Sequence, residues 1–119
     1  MSWHIEFKLI AEWLEAQDST VRRRVLAAAT VLSQDGPQLG RPLVDSIEGS
    51  RHSNMKELRT SSNTVNAVRI LFAFGPMRRA ILLIAGNKAG NWKRWYRENI
   101  PKADELFDEH LRSLKGESR

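Results

Sequence analysis

Val68-Arg69-Ile70-Leu71-Phe72-Ala73-Phe74-Gly75-Pro76-Met77-Arg78-Arg79-Ala80-Ile81-Leu82-Leu83-Ile84-Ala85-Gly86 is the stretch on which the fold turns. Val68, Ile70, Phe72 and Phe74 alternate with Arg69, Leu71 and Ala73, the period-two pattern of a strand. Gly75-Pro76 turns the chain. Arg79 to Ala85 is apolar on both faces, as a central strand would be. So short a connection makes the pair antiparallel. Alternation puts Val68, Ile70, Phe72 and Phe74 on one face and leaves Arg69 on the other. It also groups Leu82, Ile84 and Gly86 on a face that continues to Lys88.

Upstream, Met55 to Thr60 reads as another strand, with Leu58 pointing one way and Glu57 and Arg59 the other. Ser61 to Asn66 is polar turn chemistry. Trp3-His4-Ile5-Glu6-Phe7 alternates as a half-buried strand, and Ile10, Ala11 and Leu14 recur at helical spacing over residues 8–16. Asp18-Ser19-Thr20 offers cap oxygens for a second helix with the stripe Val21, Val25, Ala28, Ala29 and Leu32. Gly36-Pro37 ends it. Arg22-Arg23-Arg24 in its first turn reads as a solvated face. Pro37 to Ser53 lacks periodicity and reads as a long loop.

Downstream, Asn91 can cap a short helix bearing Trp92, Trp95 and Tyr96. Pro101 suits the first position of a final helix with the stripe Ala103, Leu106, Phe107, Leu111 and Leu114. Strand, helix, helix, strands, helix is an α+β order, and 119 residues suit one domain over 1–119.

Composition narrows the chemistry. The chain has no cysteine, which excludes a disulfide scaffold, a thiolate nucleophile and Cys-ligated metal. His4, His52 and His110 are scattered without ligand spacing, so no metal and no cofactor is expected. His4 and His110 read as structural, whereas His52 lies beside Arg51 and Ser53. No apolar run approaches the roughly 20 residues that span a bilayer, and the N-terminus lacks the pattern of a leader. The expectation is a cytoplasmic protein with no membrane association.

The formal net charge is +5, and its distribution says more than its size. Residues 1–50 balance at −2 and residues 98–119 at −2, but residues 51–97 hold ten basic residues against one acid, Glu57. A middle this one-sided points to a polyanion site. With two helices covering one sheet face, the other would carry Glu57, Arg59, Arg69 and Lys88 in a shallow basic groove. An arginine inside an apolar strand needs an anion or a hydrogen-bond partner. A plain Arg69–Glu57 pair would satisfy that requirement without any function.

Gly40-Arg41-Pro42, Gly49-Ser50-Arg51-His52, Met55-Lys56-Glu57-Leu58-Arg59, Val68 to Phe74, Ala80 to Ile84, Arg94-Trp95-Tyr96 and Ile100-Pro101 through Leu111 follow one another in order. This set resembles the phage-derived, HigB-like branch of the RelE/ParE toxin superfamily over nearly the whole chain. The resemblance implies a small twisted, mainly antiparallel sheet with two N-terminal helices on one face and a C-terminal helix. It implies the toxin of a type II toxin–antitoxin pair, an endoribonuclease that cleaves mRNA on the ribosome without a metal. A helix-turn-helix, HigA-like antitoxin is the implied partner. ParE-type members instead inhibit DNA gyrase without chemistry, and a phage protein keeping only the fold is a third possibility.

Position by position, the arginine of RelE-type nucleases matches Arg69, the basic residue after the last strand matches Lys88, and the aromatic hydroxyl matches Tyr96. Two lysines of RelE fall on Met55 and Glu57, and Lys56 has the wrong parity to replace them. The implied chemistry is attack of a ribose 2′-hydroxyl on the adjacent phosphate. Glu57 or Tyr96 would help remove its proton, and Arg69 and Lys88 would stabilise the phosphorane. Arg51, His52, Lys56, Arg59, Lys93, Arg94 and Arg97 would hold the backbone, with Trp92 or Trp95 stacking on a base.

Overall fold

The computed structural model describes residues 2–60, 68–86 and 91–117. A five-stranded sheet forms the middle layer, in the order β1 (His4–Glu6), β5 (Arg79–Gly86), β4 (Arg69–Gly75), β3 (Met55–Arg59) and β2 (Val44–Ser46). The pairs β2–β3, β3–β4 and β4–β5 are antiparallel, and β1 joins β5 in parallel. Helices α1 (Ala11–Glu15) and α2 (Ser19–Asp35) cover one face, and α3 (Trp92–Glu117) packs on the other. The expected α+β class and its layers are present.

The first face is built as the alternation requires. Val25, Ala28 and Leu32 of α2 meet Leu58, Ile70, Phe72, Ala80 and Leu82 of the sheet. Burying each larger side chain contributes about 1.5–3 kcal/mol. Asp18 caps α2 by accepting from the Val21 N–H at 2.9 Å. Gly36 closes it at φ 61°, a conformation open to glycine. Arg22 turns back onto the Gln17 carbonyl, in keeping with a surface role.

Three expectations change. The segment from Pro37 to Ser53 is not all loop: it carries a 3-10 turn, Gly36–Gln38, and the edge strand β2. Three residues are too few to show a period, and pairing with β3 is what orders them. Next, the short helix and the final helix are one, with Pro101 inside it. Trp95, Tyr96, Ile100, Ala103 and Phe107 form one continuous stripe on the sheet, and its burial carries the helix through the missing N–H. Finally, Leu82 and Ile84 do not share a face. The register shifts between Leu71 and Phe72, which pair with Ile84 and Leu82, so Leu83 is the extra residue of a bulge. Leu82 therefore packs under α2, whereas Leu83 and Ile84 pack toward α3. The turn proposed at Ser61 to Asn66 and the basic residue Lys88 lie outside the described residues.

Candidate functional site

The bulge and the long helix together build the site. Beyond the bulge Gly86 pairs with Arg69, and the first turns of α3 cross that end of the sheet. Asn91 caps α3 by accepting from the Arg94 N–H at 3.0 Å. A Cβ placed on Gly86 would lie 2.5 Å from Trp95 Nε1, so only glycine admits this indole. Trp95 in turn meets Trp92 and Tyr96 edge-on, at 5.2 and 5.3 Å between ring centres. This cluster fixes Tyr96 above β3 and β4.

Below it, Glu57 is 2% exposed. Arg59 Nη2 and Nε lie 2.6 and 2.8 Å from Glu57 Oε1. The Tyr96 hydroxyl donates to Glu57 Oε2, and Arg69 Nη1 donates to the Tyr96 oxygen at 2.5 Å. The Arg69 guanidinium also rests 4.4 Å from the centre of the Trp92 ring. Arg59 and Arg69 stand directly opposite each other across the sheet. Like charges there repel, and the arrangement holds because each guanidinium has its own partner. The simple Arg69–Glu57 pair does not form: Tyr96 stands between them. Among the described residues Arg69 Nε is buried without a hydrogen-bond partner, a donor held in reserve.

Burial, reinforced by the neighbouring Glu57 carboxylate, pushes the Tyr96 phenol up to about 12, against the opposing pull of Arg69. Tyr96 is thus a neutral phenol near pH 7. At the outer edge of the sheet Asp45 faces Glu57 across β2 and β3. Burial works against its charge, yet Arg41, the Ser46 N–H and Arg59 hold its carboxyl below the usual range. Arg41 Nε is 3.2 Å and Arg59 Nη2 is 3.8 Å from it.

These groups floor an open cleft of about 320 Å³, lined by Ser46, Ile47, Glu48, Glu57, Arg59, Arg69, Lys93, Tyr96 and Ile100. Of the residues expected in the site, Glu57, Arg59, Arg69, Tyr96 and Lys93 meet here. Trp95 supports it from behind. Arg97 is exposed on α3, and Arg94 is exposed and paired with Glu98 at 2.8 Å. Lys56 lies on the face shared with Leu58, under the N-terminal helices, as its parity requires.

Arg51 and His52 go elsewhere. Arg51 Nη2 is 2.6 Å from Asp108 and 3.4 Å from Glu105, and His52 Nε2 is 2.8 Å from Asp108. The Arg51 N–H and the Ser50 hydroxyl both donate to buried Asp104, at 3.0 and 2.5 Å. The His52 hydrogen bond, aided by Arg51, holds the Asp108 carboxyl below its ordinary value. This is a clasp between loop and helix, formed with acids that follow fifty residues later. Missed from the sequence were Asp45 and the cleft wall Ser46, Ile47 and Glu48, because nothing in an unpatterned stretch marks which residues a sheet edge will turn inward. Among the described residues, no group of three or more acidic or histidine side chains is placed to hold a metal. Among them, too, no helix is long and apolar enough to cross a membrane.

Residues 12–108 match the family model described as Phage derived protein Gp49-like (DUF891), and the chain belongs to that family. Two relatives come from Mycobacterium tuberculosis. The first, named "Putative toxin HigB2", is 53% identical over 111 residues, covering 93% of this chain and 55% of that protein. The second, named "Putative toxin HigB3", is 47% identical over 107 residues, covering 90% of this chain and 91% of that protein. The chain thus spans about half the length of the first relative and nearly all of the second.

Proposed function

We propose that this protein is the toxin of a type II toxin–antitoxin pair, of the HigB type within the RelE superfamily. Its activity is metal-independent cleavage of mRNA on the ribosome, in the cytoplasm, and a helix-turn-helix antitoxin neutralises it. The names of the two relatives support the toxin assignment. The observation that carries the chemistry is the chain of contacts Arg69–Tyr96–Glu57–Arg59 at the floor of an open cleft.

Glu57 is too deeply buried to meet a ribose directly, and a neutral phenol is a poor base by itself. Together they form a relay. As the 2′-oxygen attacks phosphorus, its proton passes to the Tyr96 oxygen while the Tyr96 proton passes to Glu57 Oε2. Arg59 occupies Oε1 and leaves Oε2 free for this task. Arg69 turns from Tyr96 to the phosphate and stabilises charge on the phosphorane oxygens. Lys88 shares that role, and Lys93 and Arg97 attract the backbone. The 5′-oxygen takes a proton from solvent water and departs as a hydroxyl, leaving a 2′,3′-cyclic phosphate on the other fragment.

Induction in cells followed by mapping of transcript 5′ ends tests the reading. New 5′-hydroxyl ends should accumulate as growth stops. Growth arrest with intact messages would overturn it, and inhibition of purified gyrase supercoiling would then identify a ParE-like inhibitor.

A further inference from the structure

One wall of the cleft has no part in this relay. Ser46, the last residue of β2, is followed by Ile47 and Glu48, and all three line the space opposite α3. Ile47 is half-buried and Ile100, on the facing wall, is buried, so a flat apolar ring finds contact there. Glu48 differs from the other carboxylates of this neighbourhood. Glu57 and Asp45 are each held by arginine, whereas Glu48 makes no hydrogen bond or ion pair among the described residues. A bare carboxylate repels phosphate, so toward a polyanion alone it only weakens binding. A nucleotide, however, also carries hydrogen-bond donors on its base.

We infer that Glu48 reads the base beside the scissile phosphate, and that the base it selects is guanine. The inference rests on the RNA reading above and deepens it. A carboxylate accepts and cannot donate. Guanine alone among the four bases presents two adjacent donors on its Watson–Crick edge, N1–H and N2–H, which match the two carboxylate oxygens. Adenine and cytosine offer one amino group beside an acceptor, and uracil offers one N–H between two carbonyls. Unstacked bases of single-stranded RNA expose this edge.

Inosine isolates the claim, because it keeps N1–H and O6 and lacks only the 2-amino group. The experiment measures fluorescence anisotropy of short oligouridylates carrying one guanosine or one inosine, with every nucleotide 2′-O-methylated. The methyl group removes the nucleophile, so binding is read without cleavage. The wild-type protein should bind the guanosine oligomer about tenfold tighter than the inosine one, the loss expected for one hydrogen bond to a charged acceptor. Glu48→Gln should bring the two within about twofold. Glu48→Ala should do the same while binding the inosine oligomer at least as well as wild type, since a repulsive charge is gone. Equal wild-type affinities, or a preference that survives Glu48→Gln, overturn the guanine assignment and leave RNA binding standing. Binding of neither oligomer overturns both.

Discussion

Tyr96 is the only tyrosine in the chain, so its phenol titrates without interference. Ultraviolet titration should give a midpoint of about 12 rather than the ordinary value near 10. Glu57→Gln should lower that midpoint, because the carboxylate is the second cause of the rise after burial. A stability consequence follows from the same shift. The folded protein holds the Tyr96 proton more tightly than the unfolded chain, so this contribution is complete below pH 10 and is lost as pH rises toward 12. Tyr96→Phe should therefore lose less stability than wild type over that interval, as denaturant midpoints at each pH would reveal. Arg69 supports no buried core, and its nearest partners are Tyr96 and Trp92. Arg69→Ala should remain folded by circular dichroism and lose at least a hundredfold in cleavage, a typical loss for a donor to developing oxyanion charge.

At the scale of elements, α3 and β5 are each altered by one local irregularity. Pro101 removes a hydrogen bond to the Arg97 carbonyl inside α3, a cost of about 3 kcal/mol in a regular helix. Pro101→Ala should raise stability in urea by about 1–2 kcal/mol, the gain being trimmed by a looser unfolded chain. The bulge in β5 turns Gly86 toward α3, where Trp95 needs its bare backbone. Gly86→Ala should cost about 1–3 kcal/mol by overpacking. The near-ultraviolet dichroism of the tryptophans should change with it, because Trp95 must leave its seat against Trp92 and Tyr96. Alternation along Val68 to Phe74 and the caps at Asp18 and Asn91 were readable because they are local. The bulge and the merged helix were not, because each depends on what the opposite layer buries.

At the scale of the whole molecule, the ten basic residues of the middle segment do not act as one field. Arg51 is spent on Asp104, Glu105 and Asp108, Arg94 on Glu98, and Arg59 on Glu57. Lys56 belongs to the other sheet face. The salt dependence of RNA binding should therefore be shallow. Ten released counterions would give a slope of about −7 in log affinity against log salt, whereas setting aside the four cations just named leaves at most about −4. The acids that neutralise Arg51 close the segment after β2 against α3, with Ser50 and the Arg51 N–H both bonded to Asp104. Asp104→Ala should leave those donors unsatisfied and cost about 2–3 kcal/mol in thermal or denaturant unfolding.

Period and local chemistry were enough to place the strands around Arg69, the capped α2 and the apolar stripes, since each is a property of neighbours in the chain. They were also enough to put Glu57, Arg59 and Arg69 on one face, because side chains on a strand alternate. In the sequence Tyr96 stood near that group as one of a Trp-Tyr pair, and only a family resemblance gave its hydroxyl a role. Its seat between Arg69 and Glu57 depends on a helix that bridges Pro101 and on a bulge that turns Gly86 to receive Trp95. Charge is the other case. Its tally along the chain marked a basic segment, but which cations remain free was decided by acids brought back from α3, because Coulomb attraction acts through space and not along the sequence.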